Sequence, residues 1–193
     1  MSPVPSLSDI YNFRQVSPDL ASSGQPREHQ LAAIAEAGYN VVINLALHND
    51  PRYSLPDEAA SVRALGLDYV HIPVQFGAPT ESDLEKFFAA MDQHASERIW
   101  VHCAANMRVS AFLGLYRTLR QGWPEAQAFT LMHEIWQPDP VWSKFIERQL
   151  HFVVPQTLIE AANRCAIETW SRHLRQLGPG RIQVLGRSGP DPL

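Results

Sequence analysis

A three-layer αβα fold, with helices on both faces of a mostly parallel central sheet, is predicted for this chain by three observations. Short β-branched runs alternate with amphipathic helical stretches through residues 1–120. Gly and Pro punctuate that alternation where helices stop and start. From Pro124 onward the pattern is helical only, which predicts a helical C-terminal half.

Each element has a local reason. Glu28–Ala37 sets Leu31, Ile34 and Ala35 on one face and stops at Gly38, a natural residue just past a helix end. Tyr39–Leu47 is a β-branched run that reads as a buried strand. Pro56-Asp57-Glu58 opens a second helix that runs through Val62 and Leu65 to Gly66, with acids at its positive end. Leu67–Val74 is a strand ending near Pro73, and Thr80 starts a helix carrying Leu84, Phe87, Phe88 and Met91. Arg98–His102 is a short strand and Val109–Gln121 a helix beyond it. Pro124–Ile135, Asp139–Phe152 and Pro155–Gln176 each fit an amphipathic helix. Residues 1–177 are expected to form one domain, and the Gly- and Pro-rich stretch 178–193 a disordered tail.

Composition narrows the function classes. A chain of 193 residues, 45% hydrophobic and 19% charged, can bury a core without staples. Sixteen Lys and Arg against twenty Asp and Glu give a net charge of −4. No global basic field is available for nucleic acid or an anionic membrane. The first ten residues lack a basic region followed by an apolar one, and no apolar run is long enough to span a membrane. Two cysteines, Cys103 and Cys165, are too few for a disulfide framework. A cytoplasmic location and thiol chemistry are the expectation.

The chemistry concentrates in Ile99-Trp100-Val101-His102-Cys103-Ala104-Ala105-Asn106-Met107-Arg108-Val109-Ser110. A buried strand delivers Cys103 to a loop of small residues, and a helix follows at once. In parallel sheets, ligand sites lie beyond the carboxyl ends of the strands, where Cys103 falls. Loop amides and a helix start make an anion-binding concavity that favours the nucleophilic thiolate. Arg108 brings a charged fork suited to two phosphate oxygens. Taken by itself, Cys103 reads more readily as a small buried residue at a strand end. The neighbouring His102 and Arg108 favour chemistry.

The pattern His102-Cys103…Arg108-x-Ser110 resembles the signature loop of the cysteine-dependent protein tyrosine and dual-specificity phosphatases. Upstream, Asn12-Phe13…Val16…Leu20…Ser23-Gly24-Gln25-Pro26 and Val42-Ile43-Asn44-Leu45 are similar to a bacterial branch of that superfamily. The resemblance spans about residues 10–150. It implies Cys103 as nucleophile, Arg108 as phosphate clamp, and a phosphate cradle of amides from Ala104, Ala105, Asn106, Met107 and Arg108. It further implies that His102 helps set the thiolate and that Ser110 assists its departure from a phosphocysteine. The substrate would be a phosphorylated protein or a small phosphate monoester, with no metal and no cofactor.

Two departures stand out. Five residues usually separate Cys from Arg in that superfamily, with a Gly third after the Cys. Here four do, Asn106 takes the Gly place, and Val109 stands where the Arg would be. Asn tolerates positive φ better than most residues, so a tight turn survives. The Arg is rotated unless the helix starts earlier than Val109. The superfamily also carries an Asp general acid some thirty residues before the Cys, where this chain has Gln75 and Phe76. The weak candidates are Asp83, Glu81 and Asp50, and Thr80-x-x-Asp83 reads better as a capping box.

Two other readings remain open. The four-residue spacing resembles that of single-domain rhodaneses, which transfer sulfur through a Cys persulfide, although their loop has the Gly missing here. A non-catalytic phosphate-binding protein is the third. Elsewhere, His71 reads as structural, His48-Asn49-Asp50 as a polar loop, and Trp136, Trp142 and Phe145 as core. His94, His133, His151 and His173 show no metal-binding spacing among themselves.

Overall fold

The structure, a computed structural model, describes residues 6–152. The helix expected at Pro155–Gln176, the tail at 178–193 and Cys165 lie outside those residues. In chain order the elements are β1 (Arg14–Ser17), β2 (Leu20–Ser23), α1 (Glu28–Glu36), β3 (Val41–Asn44), α2 (Glu58–Ala64), β4 (Asp68–His71), α3 (Glu81–Gln93), β5 (Ile99–His102), α4 (Met107–Leu119), α5 (Glu125–Ala128), α6 (Thr130–Ile135) and α7 (Pro140–Phe152). The sheet order is β1-β2-β5-β3-β4. The strands β2, β5, β3 and β4 run parallel, and β1 pairs antiparallel with β2 at the edge.

The predicted layering is therefore observed. Strand alternation divides the core in two. Val41, Ile43, Ile99 and Val101 join Phe87, Phe112, Trp142 and Phe145 on the face covered by α3, α4 and α7. Val42 and Trp100 join Leu31, Ile34 and Val62 beneath α1 and α2. Trp100 is held twice, stacked on Phe13 and donating from Nε1 to Ser23 Oγ at 3.0 Å.

Caps set the helix starts. Asp57 accepts from Ala60 N at the head of α2, and the Thr80–Asp83 capping box heads α3. Asp139 accepts from Val141 N and Trp142 N before α7. Gly38, at φ 83°, ends α1 as its position predicted.

Four expectations need correction. The strands predicted at Tyr39–Leu47 and Leu67–Val74 are shorter, Val41–Asn44 and Asp68–His71, and only the residues lost at their carboxyl ends run toward the site. Pro124–Ile135 is two short helices that break at Phe129, whose ring packs against Gly114 of α4. The helix read from Val109 starts at Met107. The β1–β2 hairpin was not expected as strands at all, since Arg14-Gln15-Val16-Ser17 is a half-exposed polar edge.

Candidate active site

Four parallel strands end in register. Ser23 and Asn44 both pair with His102, and Asn44 pairs with His71. Cys103 follows His102 at this carboxyl edge, 1% exposed and a free thiol. Its amide donates to Ser23 O at 3.3 Å. His102 and Cys103 face opposite sides of the sheet, as alternation requires. The sulfur joins the cluster with Val101, Val109 and Phe112, whereas the imidazole turns toward α2.

The loop after Cys103 closes by a left-handed turn at Asn106, with φ 66° and ψ 2°. Asn106 Nδ2 donates to Asn12 O at 2.8 Å and to Ser22 Oγ at 3.0 Å, and Asn12 Nδ2 donates to Ala105 O at 3.1 Å. Gln25 N donates to Ala104 O at 3.2 Å. The carbonyls of this loop thus turn outward to the N-terminal segment. The amides of Ala104, Ala105, Asn106, Met107 and Arg108 find no protein acceptor among the described residues. Free amides running into a helix start are what an anion requires.

The early start of α4 answers the spacing question. With Met107 already helical, Arg108 sits in the first turn of α4. Arg108 is 8% exposed. Its Nη1 donates to Leu45 O at 2.9 Å, and its guanidinium carbon lies 5.7 Å from the centroid of the Phe76 ring. Its Nε is buried with no partner among the described residues. One edge of the fork is anchored and a donor remains.

Beneath the strand ends lies a group that sequence reasoning placed only as a helix-start acid. Glu58 is fully buried. Its carboxylate lies 2.8 Å from His102 Nε2, off the line of a good hydrogen bond. It accepts from Asn44 Nδ2 at 2.8 Å and Gln25 Nε2 at 3.1 Å, with the Tyr69 hydroxyl at 3.5 Å and His48 Nε2 at 3.8 Å. Burial pushes this carboxyl up, but His102, Gln25 and His48 outweigh it, and its pKa lies below the usual value. Nothing in a single sequence marks Glu58, because every partner is distant along the chain.

Ser110 is placed differently from expectation. Its hydroxyl donates to Met107 O at 3.0 Å and accepts from Trp136 Nε1 at 3.2 Å, so its proton serves the first turn of α4. Of the acid candidates, Asp83 is held in the capping box by Thr80 N and Oγ1, and Glu81 is exposed. Asp50 accepts from Arg52, whose side chain and backbone hold its pKa down to about 2. The pairing with Arg52 disfavours the protonated carboxyl that a general acid needs. The expected acid position is filled by Phe76, packed on Trp136, Trp142 and Arg108. His71 Nε2 meets Ala46 O at 2.8 Å and its ring stacks on His48, a structural arrangement as predicted. Away from the site, Asp68, His94 and Glu97 bring one ligand atom each within 4.8 Å of one another, which spacing along the chain does not show.

A parallel sheet presenting a Cys on a tight loop into a helix with an early Arg defines the class: the fold is that of the cysteine-based tyrosine phosphatases. Solved structures share it, including Tk-PTP in the active form (16% identity, TM-score 0.62, 74% of this chain and 98% of that one). PTPMT1 in complex with PI(5)P matches at 13% identity and TM-score 0.63, covering 75% and 98%. Within that class, the profile of the beta-lactamase hydrolase-like protein, phosphatase-like domain, matches residues 12–119, and the chain belongs to this family. A DUF442 protein from Shewanella putrefaciens CN-32 is 40% identical, with TM-score 0.66 over 74% of this chain and 93% of its own. No curated protein matches. Among the described residues, no helix is long and apolar enough to cross a membrane.

Proposed function

We propose that the chain is a phosphoric monoester hydrolase that works through a phosphocysteine on Cys103. The observation that carries this reading is the cradle. Five consecutive amides, Ala104 to Arg108, lie without protein acceptors among the described residues, beside a buried thiol and a buried guanidinium. Three phosphoryl oxygens need such donors, and their demand grows as the phosphorus becomes five-coordinate.

In the proposed reaction the Cys103 thiolate attacks phosphorus and the P–O ester bond breaks, its electron pair leaving with the alcohol oxygen. That oxygen takes a proton from solvent, since Asp83 and Asp50 are held by their own partners. Water then attacks the phosphocysteine, the P–S bond breaks, and inorganic phosphate leaves with the thiolate restored. Arg108 and the loop amides hold the oxygens in both steps. His102 anchors the strand end. Ser110 holds the helix start, and its part in thiolate departure runs through that geometry. The substrate class is a phosphomonoester with a good leaving group, phosphotyrosine or another aryl phosphate. The complex of Pseudomonas aeruginosa TpbA with pTyr, whose fold matches at 18% identity and TM-score 0.54, is in keeping with it.

The test is p-nitrophenyl phosphate turnover beside thiosulfate–cyanide sulfur transfer, for wild type, Cys103→Ser and Arg108→Ala. Phosphate release that vanishes in Cys103→Ser is expected. Turnover that survives the substitution removes the nucleophile, and sulfur transfer exceeding phosphate release gives the site to persulfide chemistry. Phosphate binding without turnover makes the chain a phosphate-recognition protein.

A further inference from the structure

The Glu58 carboxylate is in an unusual position for a helix that packs on an apolar face. The core beneath α1 and α2 holds Val62, Leu31, Val42 and Trp100. An aliphatic side chain there would bury without the cost of desolvating a charge. Instead the carboxylate gathers donors from four separate segments: Gln25 after β2, Asn44 at the end of β3, Tyr69 in β4 and His102 at the end of β5. Asn44 and His102 are direct register partners, so Glu58 reaches two adjacent strand ends from below. The groups nearest it can all donate, which suits an ionised, acceptor-only side chain. Neither ring nitrogen of His102 has a well-aligned hydrogen bond among the described residues, and Glu58, 2.8 Å from Nε2, is the charged group in contact with this ring.

We propose that Glu58 is a positioning residue for Cys103, acting through His102 to fix the end of β5 from which the thiol is presented. The proposal rests on the reading of Cys103 as nucleophile. His102 faces α2 and Cys103 faces α4, so the carboxylate does not touch the reacting atoms. It holds the preceding residue, whose peptide sets the direction of the sulfur and of the first loop amide. The orienting carboxylate is thus supplied by a helix on the opposite face of the sheet.

A double-substitution cycle on the full chain tests this, using Glu58→Gln, His102→Gln and the pair. Three quantities are read: p-nitrophenyl phosphate kinetics, the iodoacetamide alkylation rate of Cys103 by peptide mass spectrometry, and the folded fraction by circular dichroism. Glu58→Gln is expected to lower kcat about tenfold or more, with KM within about twofold, and to change the alkylation rate of folded protein. The double variant is expected to be no worse than His102→Gln alone, since coupled residues are not additive. Tyr69→Phe loses another contact to the same carboxylate and is expected to leave kcat and alkylation within about twofold. Glu58→Asp, which keeps the charge, is expected to recover part of the loss, and it carries the comparison if Glu58→Gln does not fold.

Losses that follow the folded fraction, or that add to those of His102→Gln, overturn the proposal. So does a Tyr69→Phe variant as impaired as Glu58→Gln. Alkylation needs no turnover. A wild type that releases no phosphate therefore defeats the hydrolase reading, while the alkylation cycle still decides the role of Glu58.

Discussion

Asn12 and Asn106 hold each other across 94 positions of sequence. Asn106 Nδ2 donates to Asn12 O at 2.8 Å, and Asn12 Nδ2 returns a bond to Ala105 O at 3.1 Å. They are also the two non-glycine residues with positive φ among the described residues, at 50° and 66°. Each side chain thus bonds the strained segment of the other, and the pair fixes the turn that aims the cradle amides.

This predicts an order of stabilities at residue 106. Asn106→Gly keeps the left-handed turn and loses the bonds, costing about 1 kcal/mol. Asn106→Ala also puts an ordinary Cβ in the left-handed region, adding about 1–2 kcal/mol. Thermal melts should show Asn106→Ala lower by about 5–10 °C and Asn106→Gly by about half of that or less. Equal melting temperatures for the two would mean that φ at this position carries no strain.

Leaving-group dependence follows from the fate of the carboxylates. Asp83 caps α3 and Asp50 is ionised beside Arg52, so neither of these carboxylates among the described residues is free to protonate the departing oxygen. Alkyl phosphates should then react about 10²–10⁴-fold more slowly than p-nitrophenyl phosphate, measured as kcat/KM. Asp50→Asn should leave aryl turnover unchanged. A large loss in that variant would return Asp50 to the list of acids.

The pH dependence of stability comes from Glu58 and His48. Both have folded pKa values below their ordinary ones: Glu58 through His102 and its other donors against the cost of burial, and His48 through burial first and then His71. A depressed folded pKa means that the unfolded chain binds more protons in the interval, so acid favours unfolding. The His48 contribution is complete above about pH 6.5 and is lost as pH falls through its folded pKa. The Glu58 contribution is complete above about pH 4.5 and is lost below that, as the carboxyl protonates. Melting temperature should fall in two stages on acidification, and His48→Gln should flatten the upper stage alone. An upper stage that is unchanged in His48→Gln would assign it to another histidine.

How much of this was legible follows from the range of each cause. The β-branched run at Val41–Asn44 and the strand before Cys103 announce themselves locally, since burial on both faces demands continuous apolar sequence. The Cys103 loop was legible because its residue types and spacing are the chemistry. The start of α4 was not, because Asn106 caps it by a left-handed backbone and not by a side-chain oxygen. The β1–β2 hairpin was hidden by its polar, half-exposed edge strand. Glu58 reads as a helix-start acid by every local rule, and only the convergence of Gln25, Asn44 and His102 on it shows otherwise.

Gly24 provides the most direct test that the N-terminal segment shapes the cradle. A Cβ built on Gly24 would lie 2.6 Å from Tyr11 Cδ1 and 2.9 Å from Ala104 O. Tyr11 is 59% exposed and its ring can swing aside. The Ala104 carbonyl cannot, because it is backbone of the loop itself and accepts from Gln25 N at 3.2 Å. Gly24→Ala must therefore displace the first residue of the cradle, and the cost falls on geometry that the reaction uses. Activity on p-nitrophenyl phosphate should drop about tenfold or more, beyond what a modest fall in melting temperature explains. Adding Tyr11→Ala removes the flexible contact alone and leaves the backbone contacts with Ala104 O at 2.9 Å and Tyr11 O at 3.1 Å, so it should restore neither kcat nor the melting temperature in full. Recovery of both would place the constraint on the Tyr11 ring and free the Ala104 carbonyl from this role.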